Sequence, residues 1–412
     1  MRNLSNEERK LIIIQFLNFL SYALAGVFVS VFFFAHSDLK TTIFYNIVSF
    51  TSFAFFYGLS GITLRKISSG LMMKISFLAS ALYYFLLFFF KERSIAYLVP
   101  LGILGGFSGG NYWSAFNLNQ YILTHSGRRA EYIGWNLALI NFASALGPVL
   151  GGWIIAGIGQ LSGSISTGYA ILFLIVFTIL TAAVILIEKL PSHDPPQFSY
   201  RHVIHHRRST RWGLVLWQQG LMGFFDVALS TVSGILLYIL LRGEAALGLA
   251  LTVASALGAI GSIVSIAFLK RYRYGFWIGV IGTVIAVYSL GSFDTIFGGW
   301  VYILVLGMTA AFYVNALTLE VYRVLDASPG GWKNKYHLLL EQSVVISVFR
   351  VAGFILLYIF LQFGDEIAVT RLWLRVLPII PILIGVLLHR STKTARSAAM
   401  HPVPLADTKN LP

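Results

Sequence analysis

Apolar residues run through this chain in stretches long enough to cross a bilayer, broken by short polar turns, from Leu11 to His389. A hydrocarbon core of about 30 Å needs about 20 helical residues at 1.5 Å per residue. The runs fall at about 11–36, 41–64, 71–90, 95–122, 135–159 and 168–188, then at about 213–240, 245–269, 276–293, 297–322, 338–363 and 371–389. The pattern therefore predicts an all-α integral membrane protein with about twelve transmembrane helices. The first run is too long for a signal-peptide core and lacks a small-residue cleavage site, so it reads as a retained helix. The longest polar stretch, Glu188 to Arg211, contains Pro191, Pro195, Pro196 and a basic cluster. It divides the chain into an N-terminal six-helix bundle (1–188), a linker (189–212), a C-terminal six-helix bundle (213–389) and a tail (390–412).

The two sets of six resemble each other. At an offset of 201, Gly106 matches Gly307, Tyr112 matches Tyr313, Ala115 matches Ala316, Leu118 matches Leu319 and Tyr121 matches Tyr322. Gln15 matches Gln219 at 204, and Arg65-Lys66 matches Lys270-Arg271 at 205. A near-constant offset in the same order points to two parallel repeats rather than inverted ones.

Composition supports the membrane reading. Hydrophobic residues make up 57% of the chain and charged residues only 11%, against roughly 25% charged in a soluble domain. The net charge of +14 changes meaning once its positions are sorted. With both ends on one side, 23 of the 30 Lys and Arg residues fall on that side, six fall opposite, and Arg350 lies inside a run. That asymmetry is the positive-inside pattern and predicts cytoplasmic termini. The expected partner of the charge is anionic lipid headgroups rather than nucleic acid. No cysteine is present, which excludes disulfides and cysteine-ligated metal.

The fifth run contains Gly147-Pro148-Val149-Leu150-Gly151-Gly152, preceded by Arg128-Arg129-Ala130-Glu131-Tyr132-Ile133-Gly134. Glycines allow close helix approach, and a proline removes one backbone hydrogen bond, so Gly147, Pro148, Gly151 and Gly152 are expected to bend the helix. On the fifth of twelve spans, after a short basic loop, this resembles the GPxxGG motif of the major facilitator superfamily. The superfamily's other hallmark, between spans two and three, is degraded here: in Gly61-Ile62-Thr63-Leu64-Arg65-Lys66, Arg65 stands where aspartate is expected. The resemblance implies a secondary transporter in the inner or plasma membrane, working as a monomer by alternating access on a small-molecule substrate. Spans one, four, seven and ten would surround the path. GPxxGG is associated there with exporters, which points to proton-coupled efflux. Uptake, flipping of a lipid-like molecule, and a non-transporting receptor or enzyme on this scaffold remain open alternatives.

Among the 16 acidic residues, only Asp226 lies deep in a run, about 20 Å from either end at 1.5 Å per residue. An ionisable group there costs about 2.5–3.5 kcal/mol to insert and marks a functional site. Spacing puts Gln219, Gly223, Asp226, Ser230 and Ser233 on one face, with a similar stripe of Gln15, Asn18 and Tyr22 on the first span. Arg350 is the buried cation. Asp226 is expected to bind a proton or a cationic group, and Arg350 to tune it or bind an anion. A static ion pair is the structural alternative. On the fourth span, Trp113, Asn117 and Gln120 share a face suited to a polar organic solute, or to interhelical hydrogen bonds.

Two cross-bundle salt bridges are expected to close the terminal side in the outward-open state: Arg65-Lys66 with Glu341, and Lys270-Arg271 with Glu131. The plainer reading makes them solvated loop charges and acids placed at helix N-termini. The cluster His202, His205 and His206 sits among Arg201, Arg207 and Arg208, whose charge argues against a divalent metal. No phosphate loop, paired carboxylates or nucleophile–base spacing is present. No metal, cofactor or catalytic residue is therefore expected.

Overall fold

The computed structural model describes residues 4–123, 129–187, 199–205, 208–327 and 332–400. Lipid offers no hydrogen bonds to the backbone, so each apolar run satisfies its own amides as a helix. The first six crossings are α1 (Asn6–His36), α2 (Leu39–Lys66), α3 (Ser69–Phe90), α4 (Leu98–Leu123), α5 (Arg129–Ser162) and α6 (Ile165–Ile187). A short helix, α7 (Tyr200–His205), lies in the linker. The seventh crossing is α8 (Thr210–Val227) and α9 (Ser233–Leu241), joined by a π-helical turn at Ala228–Val232. Then come α10 (Glu244–Arg271), α11 (Phe276–Ser292), α12 (Ile296–Ala327) and α13 (Trp332–Phe360). The last crossing is split into α14 (Glu366–Val376) and α15 (Ile379–Met400), because Pro378 cannot donate to the turn before it.

Short turns suffice because polar residues start the helices. Ser5 and Glu8 form a capping box, and Asp38, Ser68, Ser209 and Asp365 each accept from an amide three residues on. Among the described residues, ten helical runs are long and apolar enough to cross a membrane. One of them, Ser69–Gln120, has 52 residues, about twice what one crossing needs. It is divided by the 3-10 turn Lys91–Tyr97, where Lys91 adopts φ 49°. With the 17-residue α11, the chain crosses twelve times.

Packing repeats between the halves. In the first, α1 lies on α5 and α2 on α4; in the second, α8 lies on α13 and α10 on α12. The matched glycines explain part of this. A Cβ at Gly106 would fall 2.3 Å from the Ser49 carbonyl oxygen of α2, and one at Gly307 would fall 3.0 Å from the Ala254 carbonyl oxygen of α10. Such small-residue contacts matter in lipid, where apolar side chains gain nothing by leaving the acyl chains. Large side chains such as Ile263 and Trp153 accordingly remain exposed. The halves meet along two long seams, α5 with α10 and α2 with α13, and along a shorter contact of α1 with α9.

Candidate functional site

A cavity of about 560 Å³ lies where the halves meet. Tyr22, Tyr45, Tyr83 and Trp113 line it from the first half, and Asp226 and Arg350 from the second. Arg350 donates to Asp226 and also lies 4.8 Å over the ring of Phe50 on α2. The arginine thus bridges its own bundle and the opposite one. The two side chains retain 19% and 23% exposure, so the pair is open to the cavity rather than sealed in the core.

The π-helical turn follows Asp226 directly. Its wider winding shifts every later residue off the 3.6-residue register. Ser230 stays at the cavity, its hydroxyl donating to the Asp226 carbonyl at 2.7 Å, whereas Ser233 turns to Tyr302 on α12. On the other side, Gly223 packs on the Ile346 carbonyl of α13, and Gln219 accepts from Gln342 at 3.2 Å. The single polar stripe expected on this span is therefore split, and only Asp226 and Ser230 of it reach the cavity.

Of the residues expected on spans one and four, Asn18, Tyr22 and Trp113 line the cavity, and Tyr22 is 62% exposed there. Gln15 is buried and accepts from Tyr112. Asn117 donates to the Tyr57 hydroxyl at 3.2 Å, and Gln120 lies a turn nearer the chain ends, outside the cavity wall. Sequence reasoning missed the contributions of α2 and α3. Tyr45 and Tyr83 bring their hydroxyls within 2.5 Å of each other, and Asn46, Ser49 and Tyr84 complete that wall. Gly105 makes room, with Ser49, Tyr45 and Tyr83 all 3.6–3.7 Å from where its Cβ would be. Polar groups in these otherwise apolar runs were the available signal.

The GPxxGG segment faces two ways. A Cβ at Gly147 would fall 2.4 Å from Ala23, and one at Gly151 would fall 2.3 Å from the Leu24 carbonyl, both on α1. A Cβ at Gly152 would fall 2.4 Å from the Glu244 carbonyl, and one at Gly248 of α10 would fall 2.3 Å from the Pro148 carbonyl. The segment wedges α5 between its own bundle and the other. Thr252 adds a hydrogen bond to the Ala145 carbonyl at 2.6 Å. α5 continues through Pro148, so in this conformation the motif acts by close packing.

The terminal side departs from the expected bridges. Glu341 accepts from Arg208 and from the Trp212 indole at 2.8 Å, not from Arg65 or Lys66. The reason is the linker: α7 docks across the seam, with Tyr200 donating to the Gly58 carbonyl and the Ser199 amide to His337 at 3.3 Å. That docking delivers Arg208 to the carboxylate and leaves Arg65 exposed. Lys270 and Arg271 are also exposed, and among the described residues neither pairs with Glu131. Tyr336 closes this side through Ser114 at 2.9 Å and Ser60 at 3.4 Å.

At the opposite face, Glu366 accepts the Leu39 amide at 2.9 Å and lies 3.6 Å from Lys40, while Tyr169 donates to buried Glu244 at 3.0 Å. Both contacts cross between the halves, and neither was anticipated. Arg128, the linker prolines and residues 401–412 lie outside the described residues, as do the side chains of Arg129, His202 and His206. His205 is exposed, and the described residues contain no group of three metal-ligating side chains.

The sequence profile described as Major Facilitator Superfamily matches residues 11–331. Among curated proteins, the chain is 26% identical over 171 residues to the uncharacterized protein YqgE of Bacillus subtilis. That match covers 40% of this chain and 38% of the relative, little more than a third of its length. An uncharacterized Geobacillus stearothermophilus protein is 27% identical over 158 residues, covering 38% of this chain and 72% of that protein. Among solved structures, the nucleoside transporter NupG superposes with a TM-score of 0.66 at 14% identity, over 94% of this chain and all of that one. The fucose:proton symporter FucP of E. coli gives 0.63 at 13%, over 93% and 98%. A bacterial homolog of the lysosomal transporter Spinster, in an inward-facing conformation, gives 0.63 at 13%, over 96% and 98%. With well over half its length matched, the chain belongs to the Major Facilitator Superfamily. It is a secondary transporter, not an enzyme.

Proposed function

We propose that this Major Facilitator Superfamily member couples a proton to the export of a small, polar, ring-bearing organic molecule, with its termini in the cytoplasm of a cell-membrane setting. The observation that carries this reading is the Asp226–Arg350 pair on the wall of the cavity between the halves. A carboxylate is the group in that cavity whose charge a proton can cancel, since arginine does not deprotonate. Protonation of Asp226 releases Arg350, whose other anchor is Phe50 across the seam. An unpaired guanidinium there is costly, so it seeks the solute, water or a new packing of the seam. A local charge change is thereby converted into a bias between two arrangements of the bundles.

The cavity supports the solute class. Its one charged pair is internally neutral, and most of the rest of its wall is aromatic rings and hydroxyl or amide groups, with glycines and the aliphatic Val29, Leu180 and Leu229 between them. Rings stack and hydroxyls hydrogen-bond, which suits a neutral polar solute and disfavours a lipid tail. The two six-helix halves are the proposed rocking bodies, with the glycine contacts of α5 and α10 as the bearing between them.

Proteoliposomes tested with neutral nucleosides, sugars and organic cations, with and without a pH gradient, measure substrate, direction and coupling together. Asp226→Asn is expected to abolish gradient-driven transport while sparing solute exchange at equal pH. Unchanged gradient-driven transport in that variant overturns the proton site. Solute accumulating along the proton flux, rather than against it, overturns export.

A further inference from the structure

A second cavity, of about 190 Å³, opens on the face that carries the chain ends, away from the seams and within the second half alone. It lies between the α10–α11 turn, the end of α12 and α15. Lys270, Arg271, Arg273 and Arg323 line it above an apolar floor that includes Leu269, Phe276 and Leu388. Four cations converging on so small a space repel one another unless an anion joins them.

The single carboxylate present reaches only one of the four, Arg323. Glu320, at the back, already accepts from Arg211 at 3.0 Å and from Ser391, and lies 3.7 Å from Arg323. The other arginines are held by groups that leave their charge intact. Arg273 donates to the Thr392 carbonyl and lies 5.6 Å from the ring of Tyr274, which itself stacks on His389 at 4.7 Å. Arg271 lies 5.5 Å from the ring of Tyr272. Lys270 is exposed and makes no ion pair among the described residues. Lys270, Arg271 and Arg273 are thus left without a carboxylate partner among the described residues.

Position decides the class of anion. The site stands at the membrane-interface ends of α10 and α15, flanked by the half-exposed rings of Tyr272 and Tyr274, a placement typical of interfacial anchors. A soluble anion has no use for a floor of leucine and phenylalanine. We propose that this cavity binds the headgroup of an anionic phospholipid, with phosphate on Lys270, Arg271, Arg273 and Arg323 and the upper acyl chain along Leu269, Phe276 and Leu388. The bound lipid would tie α10, α12 and α15 together at that face. Lys270 and Arg271, expected from sequence to meet Glu131, are assigned to the membrane instead.

Native mass spectrometry of the detergent-purified full chain, titrated with phosphatidylglycerol, with phosphatidylethanolamine of the same acyl chains, and with inorganic phosphate, tests the assignment. The expected result is one phosphatidylglycerol retained preferentially, with affinity about 30-fold lower in Lys270→Gln/Arg271→Gln and little changed in Arg65→Gln/Lys66→Gln. Lys270→Gln alone, which breaks no described ion pair, is expected to lose about fivefold and serves if the double variant does not fold. Equal retention of phosphatidylethanolamine, equal loss in the Arg65/Lys66 variant, or no loss on removing Lys270 overturns the site. Inorganic phosphate competing as well as lipid overturns the lipid assignment.

Discussion

Where α5 meets α10, glycine lies on backbone; where α13 meets α2, ring lies on ring. Aligned at Gly151 and Gly353, each of which packs on the first helix of its own half, Gly147-Pro148-Val149-Leu150-Gly151-Gly152 stands opposite Phe349-Arg350-Val351-Ala352-Gly353-Phe354. Pro148 and Gly152 reach α10 through main-chain contacts. At the equivalent places, Arg350 lies over Phe50, and Phe354 stacks on the same ring at 5.4 Å. Gly151 and Gly353 thus keep the same residue and the same role in both halves, whereas the other own-bundle pair, Gly147 and Phe349, and the positions facing the partner bundle differ. One seam is closed by small residues and main chain, with Glu244 held by Tyr169 at its end. The other carries the arginine that pairs with Asp226, so under the proposed mechanism the first seam would slide and the second would respond to charge.

The largest effect should come from the charged seam. Arg350→Gln leaves Asp226 unpaired, a loss of about 3 kcal/mol or more, and transport in proteoliposomes should fall at least about 100-fold. Combining it with Asp226→Asn should restore the melting temperature without restoring transport. Recovery of transport would mean that the pair is a structural tie only.

On the glycine seam, Gly152→Ala places a methyl group against the Glu244 carbonyl. Overpacking of this kind costs about 1–3 kcal/mol. Because the chain has no native cysteine, a cysteine at buried Val149 reports seam opening directly, and its labelling should quicken about 5- to 150-fold in the Gly152→Ala background. Unchanged labelling would remove the claim that this contact is the bearing.

Phe354→Leu keeps an apolar side chain but loses the stack on Phe50, worth about 0.5–1.5 kcal/mol. A fall of a few degrees in melting temperature is expected, about 2–4 °C per kcal/mol, with Val149→Cys labelling unaffected. A rise in that labelling would show that the two seams move as one. Smallest is Thr252→Val, which deletes one interhelical hydrogen bond. In membranes such bonds contribute about 0.6 kcal/mol, so labelling should change less than about threefold. A larger effect than that of Gly152→Ala would make the hydrogen bond, not the glycine, the main contact of the seam.

Much of the architecture was legible in the sequence because lipid imposes a length and a hydrophobicity on every crossing. The repeat was also visible, since Gly106 and Gly307 meet the same packing demand in both halves. The site was legible only in part. Asp226 and Arg350 stand out because ionisable groups are rare at that depth, and Tyr22 and Trp113 followed from their spans. Ser233 left the cavity because helical spacing cannot foresee a π-helical turn. Tyr45, Tyr83 and Phe50 went unnoticed because aromatic residues in a membrane span are ordinary until a neighbour gives them a role. The expected Arg65–Glu341 bridge failed for a related reason: the linker reaches Glu341 first, and nothing local in the sequence says where a linker docks.

The sequence by itself determined the twelve crossings, their division into two similar halves, and the two deep charges, because each follows from the cost of placing a residue in hydrocarbon. Tertiary structure alone decided the partners. It turned the GPxxGG segment into a two-faced wedge, brought Arg208 rather than Arg65 to Glu341, and gathered Lys270, Arg271, Arg273 and Arg323 around one groove. Partner choice depends on which helix faces meet and at what height, a property of the whole packed bundle that no single stretch of residues encodes.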